Sequence, residues 1–284
     1  MKSILVTGCN GQLGNSIRVL SAAYPFCHFL FTDIDTLDLS DEDVVRSFFR
    51  KNTVSYIINC AAYTAVDKAE DEEALCHKIN CDVVRTLGEM ATEYDAKMIH
   101  ISTDYIFDGT NNQPYEETDR ACPISVYGRT KLAGEEALLS VCPDAIIIRT
   151  AWLYSEYGNN FVKTMLRLGN ERDELSVVFD QIGTPTYAGD LAAAILSIID
   201  AKTFAPGIYH YSNDGVCSWC DFAVKVMQVA NLSCLIIPIE TKDYPTPASR
   251  PHYSVLSKTK IKNTYHIEIP HWEASLRKML SGLK

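Results

Sequence analysis

The chain has 284 residues, of which 47% are hydrophobic, and it carries a formal net charge of −10 at pH 7. This length is enough for one large domain or two modest ones, and the composition is typical of an ordinary globular protein. The acidic balance argues against a surface that binds nucleic acid or anionic membranes. No apolar run approaches the roughly 20 residues that a membrane span requires.

The start of the chain and its cysteines predict a cytoplasmic protein. A strand pattern begins almost at Met1, so we expect no cleavable leader. The ten cysteines lack the spacing of a disulfide framework, and we interpret them as reduced thiols. Cys217 and Cys220 form a close pair without the second pair that zinc requires. We interpret them as small residues at the start of a helix capped by Ser218.

A glycine-rich turn follows the first apolar run, residues 4–6. Gly8, Gly11 and Gly14 form the pattern G-x-x-G-x-x-G and lead into a helical pattern. Between a strand and a helix, such glycines let a pyrophosphate approach the backbone and the helix N-terminus. Asp33 follows the second apolar run, where a carboxylate can reach the hydroxyls of an adenosine ribose. The alternatives are a purely structural turn and a solvated loop aspartate.

Further apolar runs alternate with helical patterns. Val44, Val45, Phe48 and Phe49 give the apolar face of a helix that begins near Asp41. Alternating strands and helices predict an α/β protein with a Rossmann-type, doubly wound parallel sheet. Beyond residue 152 the pattern loosens, and three prolines in 244–251 exclude a helix there. The predicted strands are 54–59, 97–102, 145–150, 175–179 and 208–211, and the later predicted helices are 159–168 and 190–199.

The looser second half predicts two domains. We expect a nucleotide-binding domain over residues 1–155 and a smaller, mainly substrate-binding domain over 156–284. Some elements of the second half, about residues 187–212, are expected to return to the main sheet.

Tyr127 and Lys131 are four residues apart and share one face of a predicted helix. Thr103 ends the fourth strand, at the sheet edge where ligands bind in parallel sheets. A phenol near an ammonium can exchange a proton with a carbonyl oxygen while a nicotinamide transfers hydride, and we expect the ammonium to lower the phenol pKa. Thr103 can donate a hydrogen bond to the same oxygen. The alternative is a chance surface pair of Tyr127 and Lys131.

These residues resemble the extended short-chain dehydrogenase/reductase family. Longer motifs resemble one group within it, the dTDP-4-dehydrorhamnose reductases, and the match runs from end to end. The motifs are NCAAYTAVDKAE at 59–70, STDYIFDG at 102–109, YGRTKLAGE at 127–135, DQIGTPT at 180–186 and the proline-rich segment 244–251.

The resemblance implies that NADPH or NADH reduces the C4 ketone of dTDP-4-dehydro-β-L-rhamnose, the last step of dTDP-L-rhamnose synthesis. It implies that Tyr127 donates the proton, Lys131 holds the nicotinamide ribose and Thr103 assists. It also implies that Thr103, Asp104 and Trp152 contact the sugar, and we suggest Arg250 for the diphosphate. The residues implied to line the cofactor are Gly8, Gly11, Gln12, Leu13, Asp33, Asp38, Leu39, Ala61, Ala62 and Tyr63, together with Tyr127 and Lys131.

One departure from the family concerns metal. Some members dimerise through a magnesium ion held by glutamates, but Ser16 and Gly189 stand at two of those positions here, and Glu273 alone remains. A hard cation needs several oxygen ligands. We therefore expect no metal, and either a monomer or a dimer that forms without one.

Two other functions remain open. One is a nucleotide-sugar epimerase or dehydratase of the same superfamily, although Tyr105 stands where a dehydratase has its glutamate base. The other is a regulatory subunit that binds NADP without turnover. The sequence also leaves the cofactor choice open. We expect NADH to be used, because Asp33 suits a free ribose and no basic residue adjoins Asp33 or the glycine turn.

Overall fold

The computed structural model describes residues 1–283 and has a six-stranded parallel sheet at its centre. The strand order is β10-β5-β4-β3-β1-β2, which is the doubly wound, Rossmann-type arrangement that the sequence predicts. The strands are β1 (Lys2–Thr7), β2 (Cys27–Phe31), β3 (Tyr56–Asn59), β4 (Lys97–Thr103), β5 (Ile146–Thr150), β6 (Leu153–Tyr154), β7 (Glu174–Val178), β8 (Ile182–Gly183), β9 (Thr186–Tyr187), β10 (Gly207–His210), β11 (Cys217–Ser218) and β12 (Leu235–Ile239).

Helices cover both faces of this sheet because its strands are apolar on both faces. Ile4 and Val6 pack towards α1 and α8, whereas Leu5 packs towards α2, α5 and α6. A π-helical turn, Lys78–Asp82, joins α4 to α5. The helices are α1 (Gln12–Ser21), α2 (Glu42–Lys51), α3 (Val66–Ala69), α4 (Glu73–His77), α5 (Val83–Glu93), α6 (Val126–Val141), α7 (Phe161–Glu171), α8 (Ala188–Asp200), α9 (Trp219–Ala230), α10 (Thr259–Tyr265) and α11 (Trp272–Gly282).

The strand order reverses between β1 and β3, and this point places the site. Thr7, at the end of β1, donates a hydrogen bond of 2.7 Å to the side-chain oxygen of Asn59, at the end of β3. The amide of Asn59 lies 3.0 Å from Nδ1 of His100 in β4. These buried contacts hold the carboxyl ends of three strands in register, at the edge where doubly wound sheets bind ligands.

The second half of the chain contributes to two cores. α8 packs on α1, and β10 pairs with β5 of the main sheet. The parallel pair β7 and β12 instead packs with α7, α9 and α11 around a core that contains Phe222 and Leu276. This separate core supports our proposal of a second domain after about residue 155. Among residues 1–283, no helix is both long and apolar enough to cross a membrane.

Two local predictions need correction. The apolar face predicted for α2 included Val44, but this side chain is 42% exposed, and Val45 and Phe49 supply the buried contacts. The helix predicted over residues 159–168 begins later, at Phe161, because the side chain of Asn160 caps it by accepting from the backbone of Lys163. Ser218 caps α9 as predicted, and Asp221 completes a capping box.

Candidate active site

A cavity of about 750 Å³ lies at the carboxyl edge of the sheet, over the reversal between β1 and β3. It brings together residues that are far apart in the chain, from the glycine turn, the strand ends and α6. The predicted site residues that line it are Gly8, Gly11, Gln12, Leu13, Asp33, Asp38, Leu39, Ala61, Ala62, Thr103, Asp104, Tyr127, Lys131 and Trp152.

The glycine turn has the shape that a dinucleotide requires. Gly8 has a φ of +61°, and a Cβ on it would lie 2.7 Å from the backbone nitrogen of Ala61, so glycine is needed there. Gly11 is the N-cap of α1 and has no side chain to cover the first turn of the helix. The N–H groups of that turn therefore face the cavity beside the turn, which is where a pyrophosphate fits.

Gln12 also ties this turn to the second half of the chain. Its side-chain oxygen accepts hydrogen bonds from the Ser155 hydroxyl at 3.1 Å and the Asn160 amide at 3.0 Å. Its own amide donates to the carbonyl of Leu153. The two halves of the chain are therefore joined at the cavity wall.

Asp33 lies at the end of β2 beside the glycine turn. Its carboxylate accepts the backbone N–H groups of Asn10 and Ile34, both at 2.9 Å. Asp38 follows in the same wall, and the Ser40 hydroxyl that donates to it holds its pKa below the ordinary value. This end of the cavity therefore offers carboxylates fixed by hydrogen bonds, which suits the hydroxyls of an adenosine ribose.

Tyr127 and Lys131 lie in the first two turns of α6, and both are buried. Ser125 caps the helix by accepting from the N–H of Gly128. A Cβ at Gly128 would lie 2.2 Å from the carbonyl oxygen of Tyr105, so glycine lets the helix start close to the end of β4. The Lys131 ammonium donates to the carbonyl of Ile101 at 2.7 Å and is thereby held against the same strand.

Burial sets the direction of the pKa shifts of both Tyr127 and Lys131. Burial raises the pKa of Tyr127, and a hydrogen bond with Thr103 lowers it by less. Burial lowers the pKa of Lys131 to about 8, against the opposing effect of Glu135. The net shift of the Tyr127 pKa in this structure is therefore upward, because burial outweighs the groups that would lower it. The phenol stays protonated at neutral pH, as a proton donor must.

Thr103 and Asp104 complete the polar wall. The Thr103 hydroxyl donates to Oδ1 of Asp104 at 3.1 Å, and the side chain of Asp104 is nearly fully buried. Its second oxygen, Oδ2, has no hydrogen-bond partner among residues 1–283. Burial raises the pKa of Asp104 to about 6. Because an unpartnered buried oxygen is costly, a ligand hydroxyl at this position would be stabilised.

Trp152 forms an aromatic wall with a strained backbone. Its φ is +49°, which is unusual for a residue other than glycine. Its ring stacks on Trp219 of α9, with centroids 3.6 Å apart. A Cβ on Gly183 would lie 2.7 Å from the Trp152 ring, so the indole is confined at its edge as well. Sequence reasoning did not single out Trp219, because the stack joins residues far apart in the chain.

Two predicted site residues lie outside the walls of this cavity. The hydroxyl of Tyr63 donates to Glu72 at 2.5 Å, and its backbone N–H donates to Asn80. Arg250 binds Asp67 through both terminal nitrogens, at 3.1 and 2.8 Å. It lines a second depression of about 390 Å³. The roles of Tyr63 and Arg250 stay predictions.

The three positions considered for magnesium binding, Ser16, Gly189 and Glu273, have other contacts in this structure. The Ser16 hydroxyl donates to the carbonyl of Gln12, and Glu273 pairs with Lys225 at 2.9 Å. A Cβ at Gly189 would lie 2.6 Å from the Tyr187 ring, so a glutamate would need that ring to move. The expectation that the protein needs no metal stays a prediction.

Comparison with known proteins gives a consistent family. The family model described as RmlD substrate binding domain matches residues 1–284. A dTDP-4-dehydrorhamnose reductase of Aggregatibacter actinomycetemcomitans is 42% identical, over 98% of each chain. A solved dTDP-4-dehydrorhamnose reductase of Clostridium acetobutylicum is 41% identical over 99% of each chain, with a TM-score of 0.95.

A second solved structure carries a ligand. It is the dTDP-4-dehydrorhamnose reductase of Bacillus anthracis in complex with NADP, and it is 38% identical over 99% of this chain and 100% of its own, with a TM-score of 0.95. These matches cover both halves of the chain, so they extend to the second core as well as to the nucleotide-binding sheet. The chain therefore belongs to the RmlD family of dTDP-4-dehydrorhamnose reductases.

Proposed function

We propose that this protein reduces the C4 ketone of dTDP-4-dehydro-β-L-rhamnose to dTDP-L-rhamnose with NADPH or NADH. The observation that carries the proposal is the convergence of Thr103, Tyr127 and Lys131 on one cavity that also contains the glycine turn and Asp33. A cavity that contains both the proposed catalytic groups and the glycine turn can hold a dinucleotide and a second ligand side by side.

The cofactor has a defined place in this proposal. Gly11, Gln12 and Leu13 would bind the pyrophosphate, Asp33 the adenosine ribose and Lys131 the nicotinamide ribose. Ala61 and Ala62 are small, and they leave room at the end of β3 for the chain of the dinucleotide. The reduced nicotinamide supplies the hydride when it is bound.

Side chains of the protein would protonate and hydrogen-bond the oxygen of the ketone. The Tyr127 phenol donates its proton to O4 of the sugar as negative charge develops there. Thr103 donates a hydrogen bond to the same oxygen and stabilises that charge. The Lys131 ammonium, fixed by the carbonyl of Ile101, favours the phenolate that Tyr127 becomes once it has lost its proton. The raised pKa of Tyr127 suits this direction, because the phenol is fully protonated before the reaction.

The substrate would extend from this cavity towards Arg250. Asp104 offers an unpartnered oxygen to a sugar hydroxyl, and Trp152 offers an apolar face to the sugar ring. Tyr105 lines the cavity, and the charge of Arg250 acts on the pKa of its phenol, so Arg250 lies near this part of the wall. A guanidinium there suits the diphosphate of a dTDP-sugar.

Elimination of water from the sugar fits the site less well. A dehydratase needs a base, and Tyr105 stands at the position where the related dehydratases have a glutamate. Burial raises the pKa of Tyr105 far above neutrality, so it stays protonated. The edge of its ring packs against Tyr127, with centroids 5.5 Å apart. These contacts favour reduction over elimination.

We also propose a cytoplasmic location and a monomer or a dimer that forms without metal. The ten cysteine thiols are all free, as is usual where thiols are kept reduced. Light scattering with and without EDTA tests the second point. A change of mass on chelation would contradict it.

The function is tested by incubating the protein with enzymatically prepared dTDP-4-dehydrorhamnose and NADPH or NADH. We expect the absorbance of the reduced cofactor to fall in proportion to the ketone consumed, and the product to be dTDP-L-rhamnose by NMR. Stable binding of the cofactor without turnover of this ketone would overturn the proposal and favour a regulatory subunit.

A further inference from the structure

Arg18 of α1 lies beside the glycine turn, although eight residues of sequence separate it from Cys9. Helix α1 carries it back to the turn, where Nη2 donates to the Cys9 sulfur at 2.8 Å. Its guanidinium carbon lies 5.0 Å from the centre of the Phe31 ring, at the end of β2. The sulfur and the ring hold the exposed cation at the point where β2 meets the turn.

Asp33 approaches the same dipeptide from β2. Arg18 binds the side chain of Cys9, while Asp33 accepts the backbone N–H of the next residue, Asn10, at 2.9 Å. The charges of Arg18 and Asp33 both act on the pKa of the Cys9 thiol, which burial raises. A cation and an anion therefore flank one short segment of the turn.

Within residues 1–283 Arg18 forms no ion pair, whereas Arg149 and Arg250 each hold a carboxylate. Its guanidinium keeps donors that an anion can use, since Cys9 and Asn15 engage only part of the planar group. An arginine that has free N–H donors and no carboxylate partner is well suited to bind a phosphate.

We propose that Arg18 is the cation that binds the 2′-phosphate of NADPH and determines how well this protein accepts that cofactor. The proposal rests on the nicotinamide cofactor of the proposed function. Asp33 binds the ribose hydroxyls of NADH and repels a phosphate on the same ribose. Arg18 offsets this repulsion, so a site with an aspartate at the end of β2 takes both cofactors.

The position of Arg18 bears on the choice between NADH and NADPH. The neighbours of Asp33 and of the glycines include no basic residue, which favours NADH. The helical periodicity of α1 brings a cation to the turn from outside both segments. NADPH is therefore expected to bind at least as well as NADH.

The test uses binding of two probes that need no turnover, 2′-phospho-ADP-ribose and ADP-ribose, measured by calorimetry. Arg18→Gln should weaken binding of the 2′-phosphorylated probe about tenfold, the size of one partly exposed charge-assisted contact. Binding of ADP-ribose should change less than about twofold, because it lacks the phosphate that Arg18 is proposed to bind. Arg18→Lys should lie between the wild type and Arg18→Gln, because it keeps the charge and loses the planar fork.

The matched control is Arg50→Gln, which removes another exposed arginine, in the last turn of α2 and away from the glycine turn. It should change neither affinity by more than about twofold. Equal weakening of both probes by Arg18→Gln, or no weakening, would overturn the inference. A selective loss together with a wild type that does not reduce the ketone would sink only the proposed reaction, since the two assays are independent.

Discussion

At the scale of single residues, burial decides the protonation states on which the proposed reaction depends. Tyr127 has 9% of its surface exposed and Lys131 has 2%, so water stabilises neither charged form. The phenol therefore keeps its proton, and the ammonium, whose pKa is lowered to about 8, begins to lose its charge above neutrality. A spacing of four residues predicts that the two groups are neighbours, but it does not predict how deeply the two side chains are buried.

The first prediction is that Tyr127→Phe lowers kcat by about 100-fold or more, the usual contribution of a positioned proton donor. The affinity for NADPH should stay within about twofold, since only the hydroxyl is removed. Single-turnover kinetics and calorimetry measure the two quantities. Tyr94→Phe is the matched control, because that ring packs on Phe49 behind the sheet. A kcat near that of the wild type would remove Tyr127 from the proposed role.

Residues of the site differ in how readily the sequence predicts them. Tyr127 and Asp33 follow from motifs that have fixed positions relative to strands and glycines. Arg18 and Trp219 do not, because each acts through a partner that only the folded chain brings near, Cys9 in one case and Trp152 in the other. Sequence reasoning therefore finds residues that a motif places at a known strand end or helix start, and it misses residues whose position depends on a contact made only in the folded chain.

At the scale of elements, a buried ion pair joins α6 to β5 directly behind the site. Arg149 binds both oxygens of Glu135, at 3.0 and 2.7 Å, and both side chains are nearly fully buried. Glu135 is one helical turn after Lys131 and opposes the lowering of its pKa. The pair therefore fixes the helix that presents the proposed catalytic groups.

The second prediction is that Glu135→Gln lowers the free energy of unfolding by about 3 kcal/mol, because it leaves the Arg149 charge buried without a partner. The double variant Glu135→Gln with Arg149→Met should recover much of this loss, since no buried charge remains. Urea unfolding measures both. Arg167→Met, which breaks an exposed pair with Glu171, is the control and should cost less than about 1 kcal/mol. A single variant as stable as this control would refute the argument.

The third prediction concerns the stack between β6 and α9. Trp219→Leu should raise KM for the dTDP-sugar by about tenfold, because Trp152 loses the ring that holds it in its strained conformation. The affinity for NADPH should change little, because neither Trp152 nor Trp219 is among the residues implied to bind the cofactor. Trp272→Leu removes a tryptophan that is buried in the second core and serves as the control for general destabilisation. Equal effects of the two substitutions on KM would contradict a positioning role for Trp219.

The elements themselves could be predicted where burial is strong on both faces. The strands of the main sheet follow from continuous apolar runs, since helices cover each face. β12 went unpredicted because Leu235 is 59% exposed and the strand contains a proline. Its pairing with β7 depends on residues 61 positions apart, which no local pattern encodes.

At the scale of the whole molecule, the central sheet contains two neutral histidines. His100 in β4 and His210 in β10 are both fully buried. Burial lowers the pKa of His100 well below its ordinary value and lowers that of His210 to about 3. In the unfolded chain each titrates near about 6.5.

These shifts make the stability depend on pH in a definite direction. Between about pH 6.5 and about pH 3, the unfolded state binds protons that the folded histidines do not. The free energy of unfolding therefore falls as the pH falls through this window, by up to about 1.4 kcal/mol per pH unit for each histidine. Asp104 and Glu117 act in the opposite direction, because burial raises the pKa of both carboxyls, to about 6 for Asp104, and the folded state takes up these protons first. The histidine shifts cover the wider pH range, and the lowered pKa of carboxyls such as Asp67 adds to the loss, so stability falls in acid.

The fourth prediction isolates one histidine. His210→Gln should lower the free energy of unfolding at about pH 7, because the hydrogen bond to the carbonyl of Tyr115 is lost. It should also make the free energy of unfolding fall by about 2 kcal/mol less than in the wild type between about pH 6.5 and about pH 5. The quantity to compare is the difference between urea unfolding free energies at the two pH values, so the cost of the substitution itself cancels. His28→Gln replaces an exposed histidine of β2 and should leave the difference as in the wild type. If His210→Gln and the wild type lose equal stability over this window, the buried histidine is not the source of the acid sensitivity, and the aspartates and glutamates of the surface would have to account for it.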